Sequence, residues 1–109
     1  MHDWKALCHS LRPFRDERDW AQFHNAKDLA LALSIESSEL LEAFLWKNPD
    51  QVDPEKVKEE LADVFAYALL LADKYSFDVQ EIVLEKIKRN AEKYPVEKAK
   101  GTAKKYKEL

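Results

Sequence analysis

Two acidic pairs stand inside the two most apolar stretches of this sequence. Glu36 and Glu39 lie within Leu29 to Trp46, and Glu60 and Asp63 lie within Val57 to Ala72. An i, i+3 spacing puts both carboxylates of a pair on one side of a helix, roughly one turn apart. A single such pair is usually a solvated surface feature. Two pairs on successive apolar segments constrain the chain further: two packed helices whose four carboxylates converge would make a site for a hard cation.

Helical projection places the acids. At roughly 100° per residue, Leu29, Leu33, Leu40 and Phe44 share one side of the earlier segment. Glu36 projects almost onto that side, with Ala32 and Ala43 next to it. Glu39 falls at its border, on the side that carries Trp46. In the later segment Val57, Leu61, Val64, Ala68 and Ala72 form the expected buried face. Glu60, Asp63 and Tyr67 make a polar stripe bordered by Val64 and Leu71 on one side and by Leu70 on the other. Burying carboxylates without compensation costs several kcal/mol each, so protons, basic partners or a cation must answer them. Ile35 to Trp46 contains no basic residue, which weakens the ion-pair solution. Glu42 and Glu59 look peripheral.

An all-oxygen ligand set selects Mg²⁺ or Mn²⁺ over zinc or copper. A di-iron bundle would need Glu-x-x-His pairs, and His2, His9 and His24 all precede the acids. Mg²⁺ retains waters and shares its shell with substrate phosphates, so a phosphorylated substrate follows.

The rest of the chain reads as helices. One glycine and four prolines among 109 residues, with no clear strand pattern, point to an all-α protein. Trp4, Leu7, Cys8 and Leu11 have helical spacing, with Pro13 expected to stop that helix. Phe14 to Asn25 reads as an irregular, aromatic entry. Asn25 caps a second helix to about Lys47, before Asn48-Pro49-Asp50. Asp53-Pro54 opens a third to about Tyr75, and Asp78 with Glu81 opens a fourth to about Tyr94. Short turns between long helices favour an antiparallel bundle in a single domain over residues 1–109. The basic tail, Glu97 to Leu109, is left open between a mobile extension and a strap across a neighbour.

Composition bounds the function classes. A net charge of −3 does not favour non-specific nucleic-acid binding. No apolar run is long enough to span a membrane, and no signal-peptide pattern opens the chain. The single cysteine, Cys8, excludes an internal disulfide, suits a reducing cytosol and reads as core packing. A cytoplasmic location is therefore expected.

At these residues the chain resembles the MazG-like, all-α nucleotide pyrophosphohydrolase superfamily. The family's Glu-x-x-Glu and Glu-x-x-Asp pattern is matched by Glu36, Glu39, Glu60 and Asp63. The dCTP pyrophosphatase branch is closer still. The matching text is Glu17-Arg18-Asp19-Trp20-Ala21-Gln22-Phe23-His24, then Glu39-Leu40-Leu41-Glu42-Ala43-Phe44-Leu45-Trp46. It continues in Glu60-Leu61-Ala62-Asp63-Val64-Phe65-Ala66-Tyr67, Lys93-Tyr94-Pro95 and Lys104-Lys105-Tyr106.

The resemblance implies Mg²⁺-dependent hydrolysis of a nucleoside triphosphate between the α and β phosphates, with dCTP or a modified dCTP as the expected substrate. It implies metal binding by Glu36, Glu39, Glu60 and Asp63, with Glu39, and Glu36 beside it, acting on the attacking water. Trp20, Phe23, His24 and Trp46 resemble the family's base and sugar pocket, and Tyr67, Lys86 and Asn90 its substrate contacts, with Lys93 and Tyr94 assisting. Arg18 and Arg89 have surface roles by default. Apolar residues around much of each helix, with Leu41 and Leu45 off the main face of the second, suggest burial against another subunit. A homo-oligomer, dimer or tetramer, is expected to complete the core. The alternatives are a broad-specificity dNTP pyrophosphatase and a catalytically silent helical oligomer or adaptor of the same fold.

Overall fold

Capping side chains and proline set the helix starts. The computed structural model describes residues 3–109; Met1 and His2 lie outside the described residues. Asp3 accepts from the Ala6 amide and opens α1, Trp4–Glu17. Asn25 accepts from the Asp28 amide at 2.8 Å and opens α2, Ala26–Glu42. Asp53 accepts from the Glu55 amide with Pro54 at the first helical position, opening α3, Pro54–Lys74. Asp78 accepts from the Glu81 amide and opens α4, Val79–Lys93. A short α5, Val96–Ala99, follows. No strand occurs among the described residues, and no helix among them is long and apolar enough to cross a membrane.

The chain divides into two compact units, Met1–Phe77 and Asp78–Leu109. In the first, α3 packs against both α2 and α1. Contacts fix the direction of α2 against α3. His24, just before α2, meets Tyr67 edge-on at 6.4 Å, whereas Glu36 in mid-helix meets Glu60 and Asp63. Rising numbers on one helix meet falling numbers on the other, so the pair is antiparallel. The buried apolar side chains are Cys8, Leu29, Ala43, Leu69, Leu70 and Ala72, and one charged residue, Glu60, is buried with them. Arg12 on α1 grips Asp73 on α3, its Nε lying 3.0 and 3.1 Å from the two carboxylate oxygens. That pairing holds the Asp73 carboxyl below the usual range.

The structure corrects three boundary and burial expectations. Pro13 does not end α1, which continues to Glu17. Its missing N–H forfeits one helical bond. The Arg12–Asp73 pair and the edge-to-face contact of Phe14 with Trp20, centroids 5.7 Å apart, anchor the turns around it. Helix α2 ends at Glu42, not near Lys47. The chain tightens through i→i+3 bonds at Ala43, Phe44 and Leu45, and Trp46 takes a left-handed φ of 62°. Leu61, expected in the core, is 39% exposed, while its neighbour Glu60 is buried. Of the polar stripe, Glu60 packs inward and Tyr67 is half-buried, while Asp63 stays exposed.

Two helix ends use left-handed residues. After α3, Ser76 has φ 57°, and the Phe77 amide returns to the Ala72 carbonyl at 2.9 Å. Asp19, φ 54°, follows α1, its amide donating to the Asp16 carbonyl, with Arg18 lying over the Phe14 ring and donating to the Phe14 carbonyl. Arg18 is therefore a capping residue. In the second unit, Tyr106 meets Tyr94 edge-on at 6.2 Å, and the Lys93 ammonium lies 5.1 Å from the Tyr106 ring.

Candidate metal and nucleotide site

The antiparallel register of α2 and α3 gathers the acids that the spacing singled out. Glu36, Glu60 and Asp63 each offer a carboxylate oxygen, and the three oxygens lie within 4.8 Å of one another. Oε2 of Glu36 and Oε2 of Glu60 are buried without a hydrogen-bond partner. Three like charges at this distance cannot all remain ionised at no cost. Glu36 carries the strain: its pKa is raised to about 7, first by burial, then by the hydrogen bond its acid form makes with Glu39, then by the charges of Glu39, Asp63 and Glu60. Tyr67 is raised in turn by burial and by Glu36, Asp63 and Glu39. Glu39 thus stands beside the triad at its border.

One basic residue answers the cluster. Lys56 Nζ lies 2.8 Å from Glu60 Oε1, one turn earlier on α3. The i, i+4 spacing of Lys56 and Glu60 was the available signal for it. Ile35 to Trp46 itself has no basic residue, so this partner comes from the facing helix. Lys56 leaves the other Glu60 oxygen and the buried Glu36 oxygen without partners. Two orphaned carboxylate oxygens in an all-oxygen donor set fit a hard divalent cation.

Next to the cluster, α1, the Trp20–Phe23 turn and α3 enclose a cavity of about 240 Å³. Asp63 belongs both to its wall and to the carboxylate cluster. Trp20, His24 and Tyr67 line it. So do Phe14 and Arg15, which the sequence reading missed because it ended α1 at Pro13. Helical spacing continued from Leu11 would have found both. His24 Nδ1 is buried without a partner, and burial, followed by the charges of Arg15 and Lys74, lowers the His24 pKa. Burial therefore favours the neutral form of this imidazole.

The other candidates lie elsewhere. Phe23 is 63% exposed and Trp46 is 97% exposed, and neither lines this cavity. Lys47 and Lys56 share a shallow recess with Glu39, Glu42 and Glu60. In the second unit, Lys86 and Asn90 lie on one face of α4 with Ile82, Val83 and Ile87, and Lys93 and Tyr94 follow at its end. Cys8 is buried in the first unit, which pushes its thiol pKa up and makes it a poor nucleophile.

Residues 31–109 match the model of the MazG-like family. The chain belongs to that family. The dCTP pyrophosphatase 1 proteins of Mus musculus and Homo sapiens are each 38% identical to it over 104 residues, an alignment covering 88% of this chain. The MazG-like chain spans 61% of the length of these two relatives. A pyrophosphatase from Archaeoglobus fulgidus DSM 4304 superposes on it with a TM-score of 0.80 at 39% identity, covering 87% of this chain and 94% of that one. In this MazG-like chain the acidic cluster and the aromatic cavity share a single residue, Asp63.

Proposed function

We propose that this protein is a Mg²⁺-dependent nucleoside triphosphate pyrophosphohydrolase acting on dCTP or a modified dCTP and releasing the monophosphate and pyrophosphate. One observation carries the reading: three carboxylate oxygens within 4.8 Å, two carboxylates of that cluster each having a buried and unpartnered oxygen, adjoin an aromatic cavity through Asp63. The names of the dCTP pyrophosphatase relatives support the reaction and the base.

Glu36, Glu60 and Asp63 would hold the cation, with Glu39 at the border. When bound, the cation polarises the phosphoryl oxygens and offsets the repulsion between acidic site and anionic substrate. Glu39 orients the attacking water and accepts its proton as the water oxygen bonds to the α-phosphorus. The α–β anhydride bond then breaks and pyrophosphate leaves. Trp20 and Tyr67 supply ring surface for the base, and the cavity wall keeps bulk water from it. Roles for Lys86, Asn90, Lys93 and Tyr94 rest on the family resemblance and are tested by single substitution with KM as the readout.

A homo-oligomer is part of the same proposal. Leu31, Ile35, Leu41 and Leu45 on and just after α2, Leu61 and Phe65 on α3, and Ile82, Val83, Leu84 and Ile87 on α4 are exposed in the single chain. Apolar exposure on three helices is the signature of a surface that another chain covers. The exposed Phe23 and Trp46 would then reach substrate held by a neighbouring copy.

The deciding experiment measures pyrophosphate release from a panel of dNTPs and NTPs with Mg²⁺, comparing wild type with Glu39→Ala and Asp63→Ala. Release by wild type alone, with helical circular dichroism retained in both variants, is the expected result. Undiminished turnover in either variant removes that carboxylate from the site.

A further inference from the structure

The cavity beside Asp63 contains one group that no step above uses. Much of its wall is apolar, yet Arg15 is among the residues that line it. The Arg15 side chain is only 21% exposed. Its Nε donates to Asp16 Oδ1 at 2.9 Å, and its terminal nitrogens have no hydrogen-bond partner among the described residues. A guanidinium tethered through Nε presents its remaining N–H groups as a planar fork. His24 lines the same cavity and brings a buried nitrogen, Nδ1, without a partner. Charged donors held against apolar walls are costly until acceptors arrive. A purely apolar ligand would leave that cost standing, and a phosphate would not use the aromatic walls. A flat heterocycle with acceptors on one edge uses both.

We propose that Arg15 is a base-selecting residue, its terminal N–H groups donating to two adjacent acceptors on the edge of a nucleobase held in this cavity. The inference rests on the nucleotide reading of the site and adds to it the group that discriminates among bases. Cytosine presents O2 and N3 as neighbouring acceptors. Thymine and uracil carry N–H at position 3, so donor would face donor. A site with a buried, directional donor pair rejects the base that cannot accept from it far more strongly than shape alone could. Trp20 and Phe14 stack or pack on either base and carry no such preference. The fork, not the charge, makes the distinction, which separates Arg15 from the lysines of the site.

Calorimetric titration of dCMP and dTMP into wild type, Arg15→Met and Arg15→Lys tests this, with pyrophosphate release measured in parallel. Wild type is expected to prefer dCMP. Arg15→Met should weaken dCMP binding about tenfold or more while changing dTMP binding less than about threefold. Arg15→Lys keeps the charge without the fork and should lose most of the preference; melting by circular dichroism confirms that both variants fold. An unchanged preference in Arg15→Lys, or an equal loss for both nucleotides in both variants, overturns the proposal while leaving the pyrophosphohydrolase reading intact. Wild type that neither binds nor cleaves any nucleotide overturns both.

Discussion

Replacing Glu36 by glutamine should make the metal-free protein more stable. The Glu36 carboxyl has its pKa raised from 4.5 to about 7 in the fold. The folded state therefore holds this proton where the unfolded chain has released it, and stability falls as pH rises from about 4.5 through about 7. Above that window the full penalty is present. At 1.36 kcal/mol per pH unit it amounts to about 3 kcal/mol, an upper bound that solvent access to the half-buried side chain reduces to about 1–2 kcal/mol. Glutamine keeps the shape, removes the charge and donates to the neighbouring carboxylates. For a domain of this size the gain corresponds to a Tm increase of about 5–10 °C. The assay is thermal unfolding in EDTA at pH 8 and at pH 4.5, repeated at pH 8 with excess Mg²⁺. The variant should lead at pH 8 in EDTA and lose its lead at pH 4.5. Mg²⁺ at 100 times its Kd should add about 2.7 kcal/mol to wild type and little to the variant. A Glu36→Gln protein less stable than wild type in EDTA at pH 8 would refute the reasoning, showing that the carboxylate is a needed structural acceptor and not a strained ligand.

Three further outcomes are expected. Arg12→Ala should lower the Tm at neutral pH by breaking the half-exposed bridge between α1 and α3, and an unchanged Tm would show that the bridge contributes nothing. The bridge contributes above the ordinary Asp73 pKa and is lost as pH falls through the depressed one, so wild type and variant should converge in stability once acid has protonated Asp73. Leu29→Ala, at a position 2% exposed, should cost about 2–5 kcal/mol in urea unfolding, and a smaller loss would show that the α2–α3 seam collapses around the cavity. Trp46→Ala should change Tm by no more than about 2 °C at low protein concentration, being a surface replacement. It should nevertheless raise the apparent KM, and an unchanged KM would remove Trp46 from substrate contact.

Much of this architecture was legible in the sequence because local chemistry dictates it. Asn25, Asp53-Pro54 and Asp78 mark three helix starts through bonds made within two or three residues of themselves. Glu36, Glu60 and Asp63 were legible because helical spacing and apolar neighbours together forced them toward one seam. What escaped depends on partners distant in sequence. Pro13 reads as a terminator until Asp73, sixty-one residues after Arg12, holds the adjoining turn in place. Losing that turn hid Phe14 and Arg15, and with them part of the cavity wall. The end of α2 escaped for a different reason: the apolar pattern from Ala43 to Trp46 continues unbroken while the backbone tightens and then turns left-handed. Hydrophobic periodicity reports which side chains are apolar, not whether the helix beneath them persists.

Asp63 belongs at once to the carboxylate cluster and to the cavity wall. Occupants of the two compartments therefore share a boundary group, and their binding free energies are not separable. Whatever factor a cation contributes to the affinity for a ring in the cavity, the ring must return to the cation in equal measure. A nucleoside without phosphates would sense the ion through this one side chain. The two halves of the substrate would then be recognised by a single coupled equilibrium, in which the order of arrival alters the path and leaves the final population unchanged.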